Sequence, residues 1–205
     1  MKNSLLALCL SVTCLWGQGA AATAAQELQA SLAALGQLQG RFTQSRYGED
    51  GVLLDQSTGR FMVLRPGYFA WEIESPDSQL VIAGPEFLWH HDRDLETVTR
   101  RPVGQGAAMA PLQVLGGDGN VLLETFAISG GAGSVYTLAP RAEGAGFREL
   151  GLILEGGLPA RMEILDDLRQ RIVIEFSGLD TESVLDPALF DFEVPPGADL
   201  FVYDE

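Results

Sequence analysis

The second half of the chain is cut into short runs by glycine-rich turns, and that rhythm limits the fold more than any other feature. Gly130-Gly131-Ala132-Gly133, Glu143-Gly144-Ala145-Gly146, Gly156-Gly157-Leu158-Pro159 and Asp166-Asp167 stand between segments of strand length. Leu150, Leu152 and Leu154 alternate in one run, and Ile172, Ile174 and Phe176 in another. A period of two puts each set on one face of a strand. Alternating runs joined by tight turns predict an antiparallel meander or barrel, not βαβ units.

The first half carries the same signal after one helix. Leu28, Leu32, Leu35 and Leu38 recur at spacings of four and three, which predicts a helix over 26–39 with Gly40 as its stop. In the run from Gly59, Phe61, Val63 and Arg65 share one face and Met62 and Leu64 the other. Phe69, Trp71 and Ile73 alternate with Tyr68, Ala70 and Glu72. Gln79–Ala83, Phe87–His91 and Leu95–Arg100 are further strand candidates. The rhythm breaks between Gly104 and Leu123, where Pro111 suits a first helical turn and one or two short apolar helices are expected. Asp186-Pro187-Ala188-Leu189-Phe190 reads as a capped helical turn.

The N-terminus reads as an export signal. Lys2 is followed by a short apolar run, Ser4 to Trp16, and by small residues ending in Ala22-Thr23-Ala24-Ala25, the layout of a secretory leader. Residues 1–25 are expected to be removed after Ala24 or Ala25, leaving one domain over 26–205. Both cysteines, Cys9 and Cys14, lie in the leader, so the working chain is expected to have neither disulfide nor thiolate chemistry. Neither cysteine has the small preceding residue and context of a lipid-attachment site. Removal of Lys2 leaves 12 arginines against 28 acidic residues, net −16. Such a balance excludes the basic footprint of a nucleic-acid binder, while 46% apolar residues exclude a disordered polyelectrolyte.

Enzyme signatures are thin. Gly-x-Ser-x-Gly, Walker-type and His-Glu-x-x-His patterns are missing from the sequence. His90 and His91 are adjacent, so on a strand they point to opposite faces and make a poor chelating pair. No catalytic residue, metal or cofactor is assigned. The runs 60–64 and 79–83 are apolar on both faces, unexpected for a sheet with one wet side. Either the 26–39 helix covers one face while the sheet curls over its own core, or a half-closed barrel leaves an apolar hollow under the 107–115 segment. Periodicity alone also leaves open which of Leu80 and Val81 would face such a hollow.

Arg65-Pro66-Gly67-Tyr68-Phe69-Ala70-Trp71 leads to Pro76, to Leu88-Trp89 and to Asp92-Arg93-Asp94-Leu95-Glu96. Phe42-x-Gln44 stands before this segment. After it come Ala110-Pro111-Leu112-x-x-Leu115, Asp186-Pro187-x-x-Phe190-x-Phe192 and Pro195-Pro196-Gly197. In order and spacing these resemble the LolA family, periplasmic carriers of outer-membrane lipoproteins, over essentially all of residues 26–205. Gly84-Pro85 and Thr97 depart from the family's usual Asp-Gly and Gln, and the chain ends soon after Leu200-Phe201-Val202.

The resemblance implies a mainly β fold: an unclosed antiparallel β-barrel with an N-terminal helix and short lid helices covering an apolar cavity. It implies Arg65 as a lid lock, Phe61, Val63, Phe69, Trp71 and Val81 as cavity residues, and Pro111, Leu112 and Leu115 as lid. Implied partners are lipoprotein acyl chains, an ATP-driven lipoprotein-releasing transporter of the inner membrane and an outer-membrane acceptor. The protein is expected to be a periplasmic monomer that binds no nucleic acid. A periplasmic lipid-sensing regulator of related fold and, from another class, a secreted hydrolase are the alternatives.

Overall fold

The computed structural model describes residues 17–103, 111–117 and 119–203, the side chains of residues 17–23, 112 and 113 excepted. Helix α1 (Gly17–Ala33) precedes six strands: β1 (Gln37–Tyr47), β2 (Leu53–Leu64), β3 (Tyr68–Ser75), β4 (Gln79–Ala83), β5 (Phe87–Asp92) and β6 (Thr97–Pro102). A wide helical turn, Leu112–Gly116, and α2 (Gly119–Thr125) interrupt them. Then come β7 (Phe126–Gly130), β8 (Val135–Pro140), β9 (Phe147–Glu155), β10 (Leu158–Asp166), β11 (Arg171–Asp180) and, after a 3-10 turn at Pro187–Phe190, β12 (Asp199–Val202).

All twelve strands form one sheet in the order β12-β6-β5-β4-β3-β2-β1-β11-β10-β9-β8-β7. Its edges, β12 and β7, do not pair, so the curled sheet stays open. Among the described residues only β12 is parallel to its neighbour, β6. The glycine turns of the second half fall between β7 and β11, as the spacing predicts.

The N-terminal helix ends earlier than its leucine spacing suggests. Leu38 belongs to β1, opposite Val63, and Gly40 is an interior strand position. The reason is that Leu38 and Phe42, both 2% exposed, fit a strand period as well as a helical one, and pairing with β2 and β11 decides between them. A side chain at Gly40 would stand 2.7 Å from Leu179 Cδ2 and 3.0 Å from the Ser177 carbonyl. Close strand packing, rather than a helix stop, accounts for that glycine. The expected processing point after Ala24 or Ala25 lies inside α1.

The principal core fills the concave side. Leu28 and Leu32 from α1 meet Phe42, Phe61, Trp71, Met162 and Ile174 from the sheet. The helix therefore packs inside the curl and leaves the outer face to something else. That face of β2, β3 and β4 is covered by the C-terminal segment, where Leu185 and Phe190 pack on Ala70 and Ile82, flanked by Met62, Leu80 and Phe192. Asp186 caps the turn by accepting from the Ala188 amide at 2.9 Å. Both faces of these strands are apolar because each is covered by a different element.

Candidate functional site

Arg65 sits immediately after β2, where its own amide donates to the Gly36 carbonyl at 2.9 Å. Its guanidinium Nη1 donates to the Leu115 carbonyl at 2.8 Å. Two residues on, the Gly67 amide donates to the Gly116 carbonyl at 2.9 Å. A helical turn leaves its last carbonyls unpaired and its C-terminal end partly negative. One loop thus supplies a fixed cation and an N–H to two successive carbonyls at the end of the 112–116 turn. Arginine suits the position because its planar donors stay charged at any physiological pH.

The clasped segment is anchored from the other side by apolar packing. Pro111 is buried and starts the turn at φ −59°, ψ −43°, while Val114 and Leu115 are 1% and 3% exposed. The Leu112 side chain and residues 104–110, which include the first four residues of the expected 107–115 cover, lie outside the described residues.

Beside Pro111 opens a hollow of about 300 Å³. Trp71, Ile73 and Val81 line it from β3 and β4, and Ile164, Ile172 and Ile174 from β10 and β11. Gln44, Gln79, His90 and Arg101 contribute its polar groups. Of the five expected cavity residues, Trp71 and Val81 border this space. Phe61, Val63 and Phe69 are 1–2% exposed and pack in the core around Trp71. The Trp71 ring stacks on Phe42 at 3.7 Å between centroids and lies 5.9 Å from both Phe61 and Phe69. Val81 faces inward, and Leu80 packs on the outer face. Ile172 and Ile174 stand among the alternating apolar positions of the sequence, Ile164 does not, and only the curl of the sheet brings the three opposite β4.

Residues 33–193 match the family described as outer membrane lipoprotein carrier protein LolA. The chain belongs to the LolA family. An outer-membrane lipoprotein carrier protein from Alkalilimnicola ehrlichii is 34% identical, over 96% of this chain and 92% of that protein. One from Alcanivorax borkumensis is 32% identical over 98% of both. Among solved structures, a LolA superfamily protein from Nitrosomonas europaea superposes with a TM-score of 0.54 at 12% identity, covering 82% of this chain and 98% of that one. That likeness speaks to the fold alone, the unclosed β-barrel with interior helices.

Two features of this LolA-family chain bear on its electrostatics. His90, at the hollow, stands 3.4 Å from Gln79 Oε1. Burial lowers its pKa, helped by Arg101 and His91 and opposed by Asp92, so at neutral pH the hollow holds a neutral imidazole. His91 points to the opposite face, 5.9 Å from the Phe192 ring. On that outer face Glu72 accepts from Arg60 at 2.5 Å and from Arg93 at 2.8 Å. Burial pushes the Glu72 carboxyl upward, but the two arginines outweigh it and hold it below the usual range.

Proposed function

We propose that this LolA-family protein carries lipoproteins through the periplasm by sheltering their acyl chains in the hollow beneath the 111–117 segment. Residues 1–25 would direct export and be removed with it, leaving a monomer of residues 26–205. Cargo would come from the ATP-driven lipoprotein-releasing transporter of the inner membrane and pass to an acceptor in the outer membrane. The reading requires no covalent chemistry.

The observation that carries it is the clasp of Arg65 and Gly67 on the Leu115 and Gly116 carbonyls, beside an apolar hollow. Each buried methylene is worth ~0.8 kcal/mol, so acyl chains do not cross water without an apolar host. A host that only binds would retain them. A cover with a restoring hydrogen bond gives two states, open with cargo and closed without it, and the closed state competes with the cargo for the same interior. The strongly acidic surface keeps the complex soluble and repels it from anionic membranes.

The test is release of a lipoprotein from inner-membrane vesicles containing the transporter. With the mature protein present, lipoprotein should appear in the supernatant as a complex and then pass to acceptor-bearing vesicles. Lipoprotein that stays in the membrane pellet at saturating carrier rejects the reading.

A further inference from the structure

A second apolar space, about 650 Å³, lies between the two flanks of the open sheet. Pro85 and Val103 border it from the β4–β6 flank, Phe126 and Phe147 from the β7–β9 flank, with Gly116 and Gly117 between. Its volume falls within the ~300–1,000 Å³ of small-ligand pockets, and its lining has the apolar character of such sites. It shares no lining residue with the hollow at Val81.

Residues 111–117 touch both spaces. Pro111 borders the hollow, and Gly116-Gly117 border the second space, with Gly116 also held by the Gly67 amide at 2.9 Å. Gly67 itself lines the second space, so a ligand there meets the clasp directly. The charged groups at this space are Glu124, Glu143 and Arg141. Arg141, its Nε shared between the Leu123 and Phe126 carbonyls at 3.2 and 3.1 Å, keeps its charge, but the two carboxylates outnumber it and set the preference. They oppose an anionic head group and tolerate a neutral ester or amide.

We propose that this space is a second acyl-chain site, for a chain on an uncharged linkage, and that residues 111–117 form the wall dividing it from the hollow. The inference rests on the carrier reading. Opening the clasp joins the two spaces, so one lipid anchor with several chains distributes them on either side of the displaced wall.

A synthetic triacylated lipopeptide with a photoreactive diazirine at its chain ends tests this on the mature protein. Labelling is expected in peptides containing Val121 or Ala145 as well as those containing Ile73 or Val81, and unlabelled lipopeptide should suppress it. Labelling confined to the Ile73 and Val81 peptides overturns the second site and leaves the carrier reading standing. Absence of protected labelling anywhere rejects both. Val121→Trp, at a half-exposed position of α2 that lines the space, should weaken the lipopeptide about tenfold, as loss of part of one chain's burial requires. Ala145→Trp should do the same, with circular dichroism reporting whether each variant folds. Unchanged affinity in the folded variants counts against the site. Diazirine-bearing palmitate, a free carboxylate, should label the Val121 and Ala145 peptides at least about tenfold less than the lipopeptide. Equal labelling refutes the preference for an uncharged linkage.

Discussion

Arg65 and Leu115 are fifty residues apart in sequence, yet the guanidinium of one donates to the carbonyl of the other at 2.8 Å. A hydrogen bond to a charged group contributes about 1.5–3 kcal/mol, and ~1.4 kcal/mol is a factor of ten in an equilibrium. Arg65→Leu is therefore expected to raise the open population of the 111–117 segment about tenfold or more. Cargo should be accepted and handed on poorly. Amide hydrogen exchange at Val114 to Gly117 should accelerate, and transfer to acceptor vesicles should slow. Normal exchange and normal transfer together dispose of the lock. Arg65→Lys keeps the charge without the rigid fork and should fall between the two.

The Trp71 ring is 7% exposed, stacks on Phe42 and borders the hollow. It serves as both core and wall. Trp71→Ala should cost about 3–5 kcal/mol in denaturant unfolding. Trp71→Phe keeps most of the packing and enlarges the hollow, so it should lose less than half of that while still binding acyl chains.

The strands were legible in the sequence because period two and glycine turns are local signals. The leucine spacing of four and three misled at Leu38, whose strand character comes from Val63 across β1–β2. The outer covering was hidden for the same reason. Met62, Leu80 and Ile82 show an apolar second face, but nothing local says that Leu185 and Phe190, over a hundred residues later, lie on it. Short β12 was missed because its parallel pairing with β6 is set by the long return from the end of β11 through Pro195-Pro196-Gly197. Arg65 illustrates the limit best. Its position at a strand end is readable from the residues and the family resemblance implies a lid lock, but the partner, the Leu115 carbonyl, is set by the fold.

Gly59 marks a place where the backbone of β3 comes too close for any side chain. Between Thr58 and Gly59 the pairing of β2 with β3 shifts register, the mark of a bulge. A Cβ at Gly59 would lie 1.9 Å from the Glu72 carbonyl oxygen and 2.8 Å from the Phe42 ring. Gly59→Ala should destabilise by about 1–3 kcal/mol or more, seen as an earlier urea midpoint. An unchanged midpoint contradicts the close approach.

Glu72 predicts a signed pH effect. Its folded pKa is depressed by Arg60 and Arg93 against the upward push of burial. The stabilisation is therefore fully present above the unfolded carboxylate value and lost as pH falls through the lower folded one. Arg60 is 60% exposed, so solvent screening limits the effect to about 1 kcal/mol. Glu72→Gln should be less stable than the parent by up to that amount at neutral pH. The gap should close on acidification below the usual carboxylate range. A gap independent of pH assigns the loss to packing instead.

Phe190 anchors the strap over the outer face, 4% exposed and 5.6 Å from the Tyr68 ring. Phe190→Ala should cost about 3–5 kcal/mol, and the uncovered Ala70 and Ile82 should bind a hydrophobic dye. The clasp of Arg65 on Leu115 and the core beneath it lie on the other face of the same strands. Sites without shared partners contribute nearly additively. The double variant with Arg65→Leu should therefore lose the sum of the two stability changes. Hydrogen exchange at Val114 to Gly117 in Phe190→Ala alone should stay at the parent rate under native conditions. Faster exchange there means that strap and lid are coupled through β2 and β3, and that the C-terminal segment helps to set the opening of the carrier.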